Sequence, residues 1–296
     1  MSTLATPPLV LSIQSHVAYG HVGNAAAMLP LQLLGAQPVA VHTVQFSNHT
    51  GYGEFKGQVF SAEHINDVLD GLRARGVLER CQAVLSGYLG DAAIGEVILS
   101  AVQEIRKQRP ELVYLCDPVM GDVGRGVFVR PGIPDFLRSR ALQYASIITP
   151  NHYEFELLHG TTIESTRAAV DAARELLGSP RRPGPQTIII TSLRTPDLPP
   201  DQLSTLVVTS ERAWIVHTPF IDLDPLPNGM GDVFSAVVLG HVVNGRPIEQ
   251  AAALGVSSLY ALVSRTAPGK RDLPLVAAQD QLVRPTETFE ALSLTW

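Results

Sequence analysis

The sequence has few cysteines, no metal-binding cluster and no excess of positive charge. Cys81 and Cys116 are its only cysteines, and both lie in apolar stretches, which indicates buried thiols in a reducing compartment. No Cys-x-x-Cys pair and no histidine cluster has the spacing of metal ligands, so a structural zinc site is not predicted. The 22 basic residues are outnumbered by 28 acidic ones, giving a net charge of −6, which argues against nucleic acid as a partner.

The sequence also lacks an uninterrupted apolar run of about 18 residues, the length that a membrane-spanning helix needs. Residues 1–8 lack the pattern of a secretory signal and are expected to form a flexible N-terminus, so we expect a cytoplasmic protein with no membrane partner. Residues 179–185 contain three prolines and are expected to form an exposed connector. Because no linker is long enough to divide the chain, a single domain is predicted over residues 9–296.

Short β-branched apolar runs alternate with longer amphipathic stretches along the chain. Strands are predicted at 9–13, 38–44, 82–85, 112–116, 145–149 and 187–191, followed by a hairpin of strands 203–208 and 212–217. Helices are predicted at 24–34, 62–75, 92–108, 166–177, from 231 onward and at 248–264. This alternation predicts an α/β protein with a parallel sheet and right-handed crossovers.

Polar residues follow six consecutive predicted strands. They are Ser15 and His16, then Ser47 to Thr50, Ser86 to Tyr88, Asp117, Thr149 to Asn151, and finally Thr191 and Ser192. Because ligands bind at the carboxyl ends of the strands in open parallel sheets, we expect these residues to surround one site.

The segment from Asn228 to Asp232 combines two glycines with one carboxylate and leads into a small, apolar helix. Glycines let backbone N–H groups approach an oxyanion closely, and the start of a helix adds the positive end of its dipole. A carboxylate there repels a phosphate, so its useful role is to accept a proton from an attacking hydroxyl. The segment favours a small-molecule kinase, although a capped helix explains the same residues without catalysis.

Two further segments combine carboxylates with turn residues. Asp117 and Asp122 flank a short turn after a buried strand, a pair that can organise a hydrated Mg²⁺ but that also suits an ordinary Asp-Pro and Gly-Asp turn. Asn151 and Glu154 have the spacing of a helix capping box, and both could also face the metal and its waters.

Two glycine-containing loops follow the first two predicted strands. Gly20 and Gly23 permit a tight turn near a small ligand, or an ordinary connection in which Asn24 is the N-cap of the next helix. Residues 45–57 mix polar, aromatic and glycine residues, which suits a lid on which Tyr52 and Phe55 stack over a flat ring. The alternative for this segment is a mobile surface hairpin.

Six segments of the chain resemble the pyridoxal kinases of the ribokinase superfamily, and the resemblance extends from about residue 9 to the C-terminal region. They are SIQSHVAYG at 12–20, TVQFSNHTGY at 43–52, LSGYLGD at 85–91, CDPVMGD at 116–122, TPNHYE at 149–154 and GMGD at 229–232. The last two occur across the superfamily, whereas the first three favour vitamin B6 as the substrate. The resemblance implies a ribokinase-like, three-layer α/β/α fold with a central, mostly parallel sheet.

The resemblance implies transfer of the γ-phosphate of ATP to the 5′-hydroxymethyl group of pyridoxal, and also of pyridoxine and pyridoxamine, in vitamin B6 salvage. It further implies Mg²⁺, K⁺ as an assisting monovalent cation, and a homodimer. By matched position, Asp232 is the catalytic base. The other implied roles are an anion hole of Gly229, Met230 and Gly231; B6 binding by Ser15, Thr50, Gly51, Tyr88 and Asp232; ATP binding by Asp117, Thr149, Glu154, Thr191 and Ser192; and metal binding by Asp117, Asp122 and Glu154.

The chain departs from the family pattern at several positions. Met230 replaces a more usual Thr or Val, and Asn228 stands where a small apolar residue is common. Thr191 and Ser192 replace a lysine found in many bacterial relatives, and Phe55 replaces a tryptophan found in some. Two alternatives are left open. One is a hydroxymethylpyrimidine kinase of the same superfamily, which the motif NHTGY at 48–52 disfavours, and the other is a non-catalytic B6 carrier or sensor.

Overall fold

A computed structural model describes residues 6–179 and 183–295 of the chain. Its strands are β1 (Leu9–Tyr19), β2 (Gln37–Asn48), β3 (Gly57–Val59), β4 (Cys81–Ser86), β5 (Val113–Cys116), β6 (Gly121–Asp122), β7 (Gly126–Val127), β8 (Ile147–Ile148), β9 (Thr187–Leu193), β10 (Gln202–Thr209), β11 (Ala213–Pro219) and β12 (Leu292–Ser293). Its helices are α1 (Asn24–Leu33), α2 (Ala62–Arg73), α3 (Ala92–Gln108), α4 (Ile133–Ser139), α5 (His152–His159), α6 (Thr166–Leu176), α7 (Met230–Val243) and α8 (Ile248–Val263).

One sheet runs through the described residues in the strand order β12-β11-β10-β9-β8-β5-β4-β1-β2-β3. The six central strands from β9 to β2 pair in parallel, while β10, β11 and β12 at one edge and β3 at the other are antiparallel. The predicted parallel sheet and the predicted hairpin of β10 and β11 are both confirmed. β6 and β7 form a separate two-stranded ribbon.

Helices cover both faces of this sheet, because successive side chains of each central strand point to opposite sides. On β1, Val10 packs in a cluster with α1, α7 and α8, whereas Leu11 packs in the cluster that includes α2 and α3. The strands are therefore apolar without alternation, as the sequence indicates for a sheet covered on two sides. The predicted three-layer α/β/α arrangement is confirmed.

The element bounds differ from the prediction mainly where tertiary structure extends a strand. β1 and β2 remain paired beyond the predicted ends at 13 and 44, with a register shift between Gln14 and His16. Ser15 and Ser47 thus lie within paired strands rather than after them. Helix α4 was not predicted, because its seven residues are too few to show a helical period.

Two expectations fall partly outside the described residues: the flexible N-terminus at residues 1–5 and the exposed connector at residues 180–182. In the part of the chain that the structure describes, Cys81 and Cys116 are free and buried, as predicted. No helix in the same residues is long and apolar enough to cross a bilayer.

Candidate active site

The predicted polar residues meet at the edge of the sheet where the parallel strands end. Asp117 follows β5 directly, and its backbone N–H donates to the carbonyl of Ser86 at the end of β4, at 2.8 Å. Thr149 follows β8, and its N–H donates to the carbonyl of Cys116, at 3.3 Å. These bonds place successive strand ends side by side, facing the first turn of α7.

The glycine loop before α7 packs directly on the turn between β1 and α1. Gly229 is the N-cap of α7 with φ of 79°, and a Cβ atom built on it would lie 1.9 Å from the carbonyl oxygen of His21. Only glycine therefore fits this position. The N–H groups of the first helical turn, beginning at Met230, have no acceptor within the helix and are available to an anion. The Met230 side chain packs against an apolar cluster that includes Val233 and Leu262.

Asp232 lies in this first turn and is half-buried. Burial raises the pKa of its carboxyl group, while a hydrogen bond from the Gly23 N–H lowers it. Gly23 in turn packs on Ser15, because a Cβ atom on Gly23 would lie 2.4 Å from the Ser15 hydroxyl oxygen. Asp232 and Ser15, which are predicted to serve the same substrate, therefore share one glycine turn.

Asp117 lies beside the same helix in a nearly water-free position. Only 6% of its surface is exposed, and burial raises its pKa well above the ordinary value, with the negative charges of Glu154 and Asp232 adding to the effect. The Ser235 hydroxyl donates to Asp117 Oδ2 at 3.4 Å and lies 2.9 Å from the Thr149 hydroxyl. Asp117, Glu154 and Asp232 are thus close enough to interact electrostatically beside the glycine loop of residues 228–231, which we call the anion loop.

Glu154 forms the predicted capping box with Asn151. The Glu154 N–H donates to Asn151 Oδ1 at 2.8 Å, and the Asn151 N–H donates to Glu154 Oε2 at 2.9 Å. Glu154 Oε1 also accepts the N–H of Met120, at 2.8 Å. Burial raises the Glu154 pKa from 4.5 to about 7, against the opposing effect of these backbone bonds. The carboxyl group therefore holds the turn that leads to Asp122.

Asp122 has one carboxylate oxygen without a hydrogen-bond partner among the described residues. Its Oδ1 is buried and makes no hydrogen bond to any described residue, while Oδ2 lies 3.3 Å from the Arg125 guanidinium. No group of three or more His, Cys, Asp or Glu side chains in residues 6–179 and 183–295 is arranged to enclose a metal ion. Any cation here would therefore depend on one or two carboxylates together with other oxygen ligands.

Residues 45–57, for which a lid is predicted, connect and partly form the antiparallel pair of β2 and β3. At its tip, residues Thr50–Tyr52 make a short 3₁₀ turn, which is capped by the Gly51 N–H donating to His49 Nδ1 at 3.1 Å. Phe55 packs against Phe46, with ring centroids 4.9 Å apart. The Tyr52 hydroxyl donates a hydrogen bond to Asp272, so this tyrosine connects the segment to a residue 220 positions later in the sequence.

Tyr88 follows β4, the strand that pairs with β1. The Thr43 hydroxyl donates to the Tyr88 carbonyl at 2.8 Å, and burial raises the pKa of the Tyr88 phenol, opposed by the charge of Arg130. Asn24 is not the N-cap of α1 as one interpretation of the sequence had it, because Gly23 holds that position. The Asn24 side chain is buried and accepts from the Ser12 hydroxyl at 2.8 Å.

Thr191 and Ser192 lie near the end of β9, on the side of Thr149. The Thr191 N–H donates to the Pro150 carbonyl at 2.9 Å. Ser192 has φ of 53°, a left-handed conformation that is unusual for a residue other than glycine and that marks strained backbone near a candidate binding edge.

Sequence reasoning missed two residues of the site. Ser235 reaches Asp117 from α7, and its signal was a hydroxyl three residues after Asp232 in an otherwise apolar helix. Asp272 gave no local signal, because its contacts to Tyr52 and to the His21 N–H, at 3.4 Å, arise only in the folded chain.

Known proteins resemble the chain over nearly its whole length. A sequence profile described as phosphomethylpyrimidine kinase matches residues 34–275. Pyridoxal kinase PdxY of Rubrobacter xylanophilus is 50% identical over 282 residues, 95% of each chain. Pyridoxal kinase PdxY of Deinococcus radiodurans is 47% identical over 290 residues, 98% of this chain and 97% of the relative.

Solved structures show the same fold. Pyridoxal kinase from Leishmania donovani in complex with ADP and pyridoxine has a TM-score of 0.88 at 30% identity, covering 97% of this chain and 99% of that protein. The complex of the same enzyme with ADP and pyridoxamine matches with the same TM-score, identity and coverage.

Proposed function

The chain belongs to the pyridoxal kinase family, and from that premise we propose that it transfers the γ-phosphoryl group of ATP to the 5′-hydroxymethyl group of pyridoxal. Pyridoxine and pyridoxamine, which are bound by the related structures, are the further substrates. The observation that carries the proposal is the position of Asp232 in the first turn of α7, beside Asp117 and bonded to Gly23, which packs on Ser15.

In this function Asp232 accepts the proton of the 5′-hydroxyl group as that oxygen attacks the phosphorus. Burial raises the Asp232 pKa, which makes the carboxylate a stronger base than an exposed aspartate. The backbone N–H groups of Gly229, Met230 and Gly231 stabilise the charge on the migrating phosphoryl group, supported by the dipole of α7. Since phosphoryl transfer depends mainly on positioning and charge stabilisation, these groups carry most of the catalysis.

Asp117 and Asp122 fit a Mg²⁺ ion. Asp122 Oδ1 is a buried acceptor without a partner among the described residues. Burial and neighbouring carboxylates raise the pKa of Asp117, and a bound cation would stabilise its ionised form. When bound, Mg²⁺ would be held by these two carboxylates and would neutralise negative charge on the nucleotide phosphates. Glu154 already accepts three backbone N–H groups, so we assign it the support of the Met120–Asp122 turn at the metal.

Two sets of residues then receive the two substrates. We assign Ser15, Thr50, Gly51 and Tyr88 to the pyridine ring. Ser15 packs on Gly23, which donates to Asp232, and a Cβ atom on Gly51 would lie 3.8 Å from the side chain of Asn228, the residue before Gly229. The ATP phosphates lie towards the hydroxyl groups of Thr149, Thr191 and Ser192, on the β8 and β9 side.

The test is ADP formation by the purified protein with pyridoxal, pyridoxine, pyridoxamine and hydroxymethylpyrimidine. We expect turnover with the B6 vitamers and much less with the pyrimidine. Preferred turnover of the pyrimidine would assign the chain to the alternative kinase. Tight binding of pyridoxal without ADP formation would instead indicate a carrier or sensor.

Four further properties remain predictions: dependence on K⁺, a homodimer, a cytoplasmic location and a single domain over residues 9–296. A titration with K⁺ against Na⁺ checks the first, and light scattering of the purified protein checks the second. Both measurements are independent of the identity of the phosphoryl acceptor.

A further inference from the structure

Asn24, the first residue of α1, has a fully buried side chain that bonds to both strands beside the candidate active site. Its side-chain nitrogen, Nδ2, donates to the carbonyl of Val41 on β2 at 3.0 Å and to the carbonyl of Gln14 on β1 at 3.3 Å. Its Oδ1 accepts the hydroxyl of Ser12, which is also fully buried. Because a buried amide is costly unless its polar atoms are paired, the surrounding fold is suited specifically to an asparagine at this position.

The two carbonyls that Asn24 bonds lie where the pairing of β1 with β2 is irregular. The register shifts between Gln14 and His16, so Ser15 lies at the shift. An irregular point in a ladder displaces backbone groups from their regular partners. Asn24 Nδ2 supplies donors to one carbonyl of each strand at this point. Its amide therefore fixes the backbone that leads into Ser15.

The bond from Asn24 to Gln14 runs beside the close packing of Gly23 on Ser15. A Cβ atom on Gly23 would lie 2.1 Å from the carbonyl oxygen of Ser15, and Gly23 forms an antiparallel bridge with His16. In the sequence, Gln14 directly precedes Ser15 and Asn24 directly follows Gly23. One side chain thus joins the two segments that meet at this contact.

The same turn faces Asp232, because the Gly23 N–H donates to its carboxyl group. We propose that Asn24 is a positioning residue of the active site, which holds Gly23 and Ser15 in the places from which they meet Asp232 and the substrate. Asn24 acts through these neighbours and contacts neither reactant. This inference rests on the proposed function.

The first test measures the position of Gly23 in the protein without substrates. Asn24→Ala removes both side-chain donors, and Asn24→Ser is a second variant that leaves a smaller cavity. Hydrogen exchange of the Gly23 amide is followed by NMR and compared with the amides of β9, which report on opening of the sheet. We expect the Gly23 amide to exchange about tenfold faster in both variants, relative to the β9 amides.

The second test measures whether Asn24 acts through Asp232. In the wild-type background, Asn24→Ala should lower kcat with pyridoxal on the order of 10- to 100-fold, because small displacements of reacting groups are costly. In the Asp232→Asn background, the same change should lower the residual kcat less than about threefold, since the group that it positions is already lost. A merely structural asparagine would give equal factors in both backgrounds.

Asn244→Ala is the matched control, because Asn244 Nδ2 also donates to two carbonyls, those of Leu34 at 2.9 Å and Gly240 at 2.7 Å. It should lower the Tm without changing kcat or the relative exchange of the Gly23 amide.

Unchanged relative exchange of the Gly23 amide in the Asn24 variants, or equal loss of kcat in the two backgrounds, would overturn the proposal. Failure of both Asn24 variants to fold while the control folds would also overturn it, because Asn24 would then serve the fold as a whole. Hydrogen exchange needs no turnover, so a wild-type protein that forms no ADP would refute the proposed function and still decide whether Asn24 positions Gly23.

Discussion

The Tyr52 hydroxyl donates a hydrogen bond to the carboxylate of Asp272, a residue 220 positions later in the chain. The other oxygen of Asp272 accepts the His21 N–H at 3.4 Å, and Asp272 forms a bridge with Asn228. One carboxylate therefore contacts the lid and the β1–α1 turn, and lies beside the anion loop. This contact therefore links the segment proposed to cover the pyridine ring to the loop proposed to hold the phosphoryl group.

Replacement of Tyr52 by Phe should loosen the lid without removing any group that contacts phosphate. The variant loses a hydrogen bond to a charged acceptor, which is stronger than a hydrogen bond to a neutral acceptor. We therefore expect the KM for pyridoxal to rise about tenfold. The KM for ATP should stay close to the wild-type value. Steady-state kinetics with each substrate varied in turn checks the prediction.

The control for Tyr52 is Tyr19→Phe. Tyr19 is 69% exposed, and its ring meets the edge of the Tyr52 ring at a centroid distance of 6.3 Å. This variant should leave both KM values unchanged. In addition, the effects of Tyr52→Phe and Asp272→Asn on the KM for pyridoxal should be less than additive in the double variant, since the two side chains share one hydrogen bond. Additive effects would show that the lid is not held by this pair.

Replacement of Asp232 by Asn should remove the base and leave the fold intact. Turnover should fall roughly 10²–10⁴-fold, which is the usual contribution of a general base. The Tm should not fall, because burial raises the Asp232 pKa and the neutral amide avoids that cost. ADP formation and thermal melting measure the two effects. Near-normal turnover in a folded variant would refute the assignment of Asp232.

The sheet was predictable because apolar residues recur with different periods in strands and in helices. The position of the candidate site was predictable because parallel strands bring their carboxyl ends to the same edge of the sheet. Helix α3 occupies the predicted 92–108, where an aspartate N-cap precedes a long apolar face. The interpretation of Asn24 as an N-cap was wrong because its side chain is bonded to distant partners, including the Val41 carbonyl at 3.0 Å. Local sequence cannot show such contacts, and for the same reason Asp272 was missed.

Replacement of Ser235 by Ala should weaken the proposed metal site. Ser235 donates to Asp117 Oδ2 at 3.4 Å, and this bond lowers the pKa of a carboxyl group that burial raises. Without it Asp117 is more readily protonated, so the Mg²⁺ concentration needed for half-maximal activity should rise about tenfold. A Mg²⁺ titration of activity at saturating ATP measures this.

Ser257→Ala is the matched control, because Ser257 is also a buried helical serine and donates to the Ala253 carbonyl at 2.7 Å. It should alter stability but not the Mg²⁺ requirement. If both variants give the wild-type titration, Ser235 has no part in cation binding.

The raised pKa of Glu154 should make the protein less stable as pH rises. The folded protein holds this proton up to a pH of about 7, whereas an ordinary glutamate loses it near 4.5. The contribution of this group to the free energy of unfolding is therefore fully present below pH 4.5 and is lost as pH rises through 7. A rise in pKa from 4.5 to about 7 corresponds to about 3 kcal/mol of unfolding free energy.

Urea unfolding at pH 5 and pH 8, without divalent cations, tests this for the wild-type protein and for Glu154→Gln. Because glutamine cannot ionise, the variant should lose less stability between the two pH values than the wild type, even though its amide fits the backbone donors less well at either pH. Glu63→Gln, at an exposed position in the first turn of α2, should keep the wild-type dependence. An identical pH dependence in all three proteins would mean that the Glu154 carboxyl group is ionised across this range, so that its bonds to Met120 and Asn151 outweigh its burial.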